Sequence, residues 1–141
     1  MALASIYFNL GTARPITEEM IGVNFLNVGY FDGEDAEFIP IKKLTGGKGF
    51  LGIGASDPKD VIAEAARIEW SSVKNQFFAS VLSSGTIARD LFVYPVEAPS
   101  DVANQPGRLG ISGSVGYEIG TLATGESKSL DFQYFVGPKE F

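Results

Sequence analysis

Residues 109–119, LGISGSVGYEI, place Leu109, Ile111, Val115, Tyr117 and Ile119 on one parity, with Ser112, Ser114 and Glu118 on the other. A helix turning 100° per residue would scatter these apolar side chains around its axis. An extended chain puts them all on one face. The segment therefore predicts a half-buried strand, and a half-buried strand needs a sheet with one face against a core. Gly at 17 residues and an aromatic share of 12% point the same way, toward many turns and β-favouring side chains. With 141 residues, the chain has the length of one domain with one continuous core.

Similar patterns recur along the chain. Ile6, Phe8 and Leu10 predict a strand over residues 3–10. In MIGVNFLNVGYF, Ile21, Val23 and Phe25 share one parity and Leu26, Val28 and Tyr30 the other, so a bulge or bend is expected near Phe25 and Leu26. Asp32-Gly33 marks a tight turn, followed by a short strand, AEFIPIKK, whose Pro40 suits a sheet edge. The glycine-rich LTGGKGFLGIGAS predicts an irregular loop with a short strand at residues 50–53. SDPKDVIAEAAR carries the helix signals: Asp57 as cap, Pro58 at the first helical position, Asp60 in the first turn, and a narrow stripe of Val61 with Ala65 and Ile62 with Ala66. After it a turn is expected near Trp70, and then a buried strand over residues 76–82. TIARDLFVYPV reads as a strand ended by Pro95, EAPSDVANQPGR as a polar loop, Gly125 as a turn, and LDFQYFV as the last strand. The sum is an all-β, mainly antiparallel β-sandwich in a single domain, 1–141, with one or two short helices.

The residue types exclude much chemistry. With no Cys and no His there is no thiol nucleophile, no zinc–thiolate site and no histidine base, and no enzyme, metal site or cofactor is expected. A net charge of −6 with scattered cations argues against a nucleic-acid partner. Asp32, Glu34 and Asp35 do not match a calcium loop and read as a solvated acidic turn. TGGKGFLGIG lacks the lysine followed by Ser or Thr of a phosphate loop, since Gly49 follows Lys48. Trp70, Phe77 and Phe78 could stack on a sugar but at this spacing are expected in the core, and Lys128 and Lys139 are expected in solvent. No run approaches the ~20 apolar residues of a membrane span, and the opening MALASIYFNLG lacks a basic leader region, so a soluble chain is expected.

Two stretches carry a family resemblance. EWSSVKNQFFASVL, residues 69–82, contributes Trp70, Gln76, Phe77 and Phe78, and LATGESKSLDFQYFVGPKEF, residues 122–141, contributes Gly125, Val136, Gly137, Pro138 and Lys139. Together, in this order and separation, they resemble the large periplasmic domain of YidC-type membrane protein insertases, toward its C-terminal end. The resemblance covers residues 69–141; the first 68 share only β-rich character. It implies the C-terminal part of a periplasmic β-supersandwich on a bacterial inner-membrane protein. It further implies contacts with Sec translocon accessory subunits and nascent membrane-protein segments, and a chain that continues toward the membrane after Phe141. An extended peptide along an exposed strand edge, such as the Pro40 strand, is the expected mode of contact. A carbohydrate-binding or mutarotase-like sandwich module is the alternative.

Overall fold

A computed structural model describes residues 2–13, 26–47, 53–54, 56–98 and 108–139. These form seven strands: β1 (Ala2–Ala13), β2 (Asn27–Phe31), β3 (Ala36–Pro40), β4 (Ile62–Lys74), β5 (Phe78–Ala98), β6 (Arg108–Leu122) and β7 (Phe132–Pro138), with one helical turn, α1 (Lys42–Thr45). All pair antiparallel in the order β1-β6-β5-β4-β2-β3, and β7 joins β5 from the side. The expectation of an all-β, antiparallel, sandwich-like fold is met.

Two bent strands turn one sheet into two facing layers. Along β4 the side chains packing on the core are Ile62, Ala66 and Ile68, then Ser71 and Val73, so the inward parity flips. Register shifts between Ala65 and Trp70 produce the flip, because one unmatched residue sends every later side chain to the opposite face. The partner strand β5 flips between Ala88 and Leu91. Beyond this bend the first half of β5 pairs with β7 and the second half with β6. One layer is β3-β2-β4-β5-β7, using the late part of β4 and the early part of β5; the other is β1-β6 with the remaining parts.

The layers close on each other. A Cβ placed on Gly113 of β6 would lie 3.0 Å from Val28 Cγ1 of β2, so a larger residue there would force the layers apart. Val28, Leu82, Leu91, Val93, Ile111, Val115 and Tyr117 are buried in the cleft between them, and Phe132 of β7 meets Tyr117 edge-on at 5.2 Å. The parity expected for residues 109–119 is met at Ile111, Val115 and Tyr117.

Several local expectations need correction. Residues 57–67 are not helical: the chain is irregular to Val61 and then enters β4. Helix propensity in IAEAAR amounts to a few tenths of a kcal/mol per residue, whereas the β5 ladder pairs Ile62 through Ala65 with Val93 through Asp90. Nor does the chain turn at Trp70, which sits inside β4; the turn is at residues 75–77, where Asn75 Oδ1 accepts the amides of Phe77 and Phe78 at 2.8 Å. Pro95 does not end its strand. It pairs with Ile111, two residues beyond the last β4 partner of β5, where only the β6 flank carries a ladder. The expected strand at residues 76–82 is the start of a 21-residue strand.

Other expectations hold. β3 is an edge strand, though it stops at Pro40 and Lys42 and Lys43 belong to α1, and the Asp32 turn closes through Asp32 N–H to Asp35 O at 3.1 Å. Gly125 turns the chain in the left-handed region at φ 82°, with Glu126 N–H on Ala123 O. Phe25, most of the 50–53 segment and residues 99–107 lie outside the described residues.

Candidate functional site

The outward face of the β3-β2-β4-β5-β7 layer carries an open, largely apolar groove. Register builds it row by row across the strands. One row runs Phe31, Trp70, Ser83, Gln133; the next Phe38, Gly29, Ser72, Val81, Phe135; the third Asn27, Lys74, Ala79, Gly137. Small side chains on β4 and β5 keep the middle low while aromatics stand at its borders. The result is a groove of about 450 Å³ lined by Phe38, Trp70, Ser72, Lys74, Ala79, Val81, Ser83 and Lys139. This size and lining fall within the usual range of ligand sites.

Phe38 forms one wall because Gly29 leaves it room. A Cβ on Gly29 would lie 2.6 Å from the Phe38 ring and 2.8 Å from Ser72 Oγ, so only glycine lets that ring lie over β2. Trp70 stands at one end of the groove, half-buried, its ring stacked on Phe31 at 5.8 Å and 12°. At the other end the Lys74 ammonium sits 3.7 Å above the Phe38 ring centroid. Lys139 is there too, its ammonium donating to Asn75 O and, at 3.4 Å, to Gln76 O.

Burial holds the Lys74 pKa below the usual lysine value, and repulsion from the Lys139 ammonium adds to this. Burial lowers that of Lys139 as well. Neither ammonium has a carboxylate partner among the described residues, whose single ion pair joins Arg67 to Glu69 at 2.5 Å.

The residues singled out in the sequence are distributed unevenly. Phe78 pairs with Pro138, Ala79 with Gly137 and Ser80 with Val136, and Lys139 N–H donates to Phe77 O at 2.7 Å. The two motif segments, some sixty positions apart in the chain, thus lie side by side, and Trp70 and Lys139 line the same groove. Gln76 lies in the turn beneath Lys139, whereas Gly125 sits in a separate turn and takes no part.

Two expectations about side chains are corrected. Phe77 and Phe78 are not core residues but are 50% and 54% exposed, because β7 is the last strand beside them and, past Phe132, the described residues leave its inward face open. Lys139 is not free in solvent: it ties the chain after β7 to the 75–77 turn. Lys128 is exposed as expected, and it donates to Ile119 O at 2.6 Å.

Sequence reasoning missed Phe38, Ser72, Lys74, Ala79, Val81 and Ser83 as groove residues. The signal was there in parity, since Ser72 and Lys74 fall on the face of Trp70 once β4 is read as a strand. The acidic turn is explained by its own architecture: Asp32 Oδ1 accepts the amides of Glu34 and Asp35 at 2.8 Å, and these bonds hold its pKa low. Comparison with protein-family models, curated proteins and solved structures found no match to this chain.

Proposed function

We propose that the chain is part of the periplasmic β-sandwich of a YidC-type inner-membrane protein insertase, and that it works by contact with other polypeptides rather than by catalysis. The observation that carries the proposal is the meeting of the two resembling segments: residues 69–82 and 132–139 are adjacent, in register, and border one exposed apolar groove. The groove runs along β4 and β5, so an extended segment can lie in it with alternate side chains pointing down. Nascent membrane-protein segments and Sec accessory subunits are the partners this reading names.

The β3 edge is a weaker candidate than expected for strand addition. It is five residues long, carries Glu37 and ends in Pro40, features that blunt an edge. A sugar-binding module remains the second reading, supported by Trp70 in the groove. Among the described residues, however, Ser72 and Ser83 are the only hydroxyl or amide side chains lining it, few for a polyhydroxylated ligand.

The test places a photo-crosslinking residue at Ala79 in the full-length protein, in membranes actively inserting a defined inner-membrane protein. The expected result is a crosslink to that nascent protein or to a Sec subunit from position 79, and much less from a probe at Arg89 on the exposed bend. Equal or absent crosslinking at position 79 overturns the proposal.

A further inference from the structure

The groove is polarised along its length. Trp70 and Lys74 are four residues apart on one strand, so both point into the groove, one offering an aromatic surface and the other an ammonium. The Lys139 ammonium stands beside the latter. Two adjacent cations without a carboxylate partner among the described residues, on a chain of net charge −6, form a local cationic end on an acidic protein. Among the described residues, one aromatic ring and two backbone carbonyls offset that charge. An anion supplied from outside would complete it.

We propose that the groove selects extended segments that carry an apolar side chain and, four residues away, a carboxylate. The inference rests on the groove being a site for extended polypeptide. The spacing comes from geometry: a segment lying along β4 advances by the same ~3.3 Å per residue as the strand beneath it. A side chain above Trp70 is therefore matched by one above Lys74 four positions on, and side chains at odd offsets point away. The apolar residue packs on Trp70 and Val81, and the Glu or Asp carboxylate accepts from the Lys74 ammonium, with Lys139 adding attraction.

Trp70 is the chain's single tryptophan, so its fluorescence reports on the groove without labelling. The probes are three blocked, tryptophan-free peptides of alternating Val and Thr with one Leu. They carry Glu four residues after Leu, Gln at that same position, or Glu three residues after Leu. The first is expected to bind saturably, about tenfold tighter than either of the others. In Lys74→Met that preference is expected to fall below about threefold. Equal binding by the Glu and Gln peptides, or by the two Glu registers, overturns the carboxylate selection while leaving the groove a peptide site. No saturable change with any peptide overturns both. The register comparison uses the unaltered protein, so the outcome does not depend on how the variant folds.

Discussion

The two halves of β5 are one continuous strand in two different surroundings. From Asp90 onward it lies beside β6, and Leu91 and Val93 are fully buried between the layers. From Phe78 to Ser84 it lies between β4 and β7 with Phe78 54% exposed, and its neighbour β7 exposes Tyr134, Phe135 and Val136 by more than half. The same backbone geometry thus serves stability at one end and presents apolar surface at the other. The bend between Ser84 and Asp90 divides the roles. Ser84 Oγ helps there, accepting from Thr86 N–H at 3.1 Å and donating to Asp131 O at 2.7 Å, which ties the approach to β7 onto the bend.

Substitutions in the two halves are expected to differ in cost. Leu91→Ala opens a cavity in the closed half and is expected to cost about 3 kcal/mol, read by denaturant unfolding. The matching Phe78→Ala in the open half should cost under about 1 kcal/mol, since half the ring is already in water. Similar losses at both positions would show that the open half is core as well. Gly29→Val pushes the Phe38 ring off β2. A cost of about 1–2 kcal/mol is expected, with loss of the Lys74–Phe38 contact and of peptide binding in the groove.

Smaller effects are expected from polar groups. The Ser71 hydroxyl is buried with no hydrogen-bond partner among the described residues, so Ser71→Ala should be neutral or stabilising by up to about 1 kcal/mol in thermal unfolding. Lys74 has a folded-state pKa below its unfolded value, so its protonation disfavours the fold, and stability rises as pH climbs through the interval between the two values. Lys74→Met is therefore expected to be slightly more stable than the parent at pH 7. That advantage shrinks as pH approaches about 10, where the unfolded lysine also loses its proton.

The strand pattern of β6, the Asp32 turn and the Gly125 turn were legible because each rests on local rules: parity, an Asx acceptor, and a left-handed glycine. The identity of residues 62–67 was not, because IAEAAR suits a helix as well as a strand and only the distant β5 partner decides between them. Reading that segment as a helix also hid half of the groove, since Ser72 and Lys74 join Trp70 on one face only in a strand. The pairing of β7 with the start of β5 rather than with the preceding β6 is a long-range choice that no local pattern encodes. Trp70 and Lys139 were legible as motif positions, yet their meeting in one groove depends on that pairing.

If the open half, and not the closed half, is the contact surface, a bound peptide touches only the former. Backbone amide chemical-shift mapping of the labelled protein, titrated with the Leu–Glu peptide, tests it directly. Perturbations are expected at residues 70–74, 79–83 and 139, with residues 90–97 and 110–117 unchanged. Perturbations centred on β1 and β6, or none at saturating peptide, would contradict it.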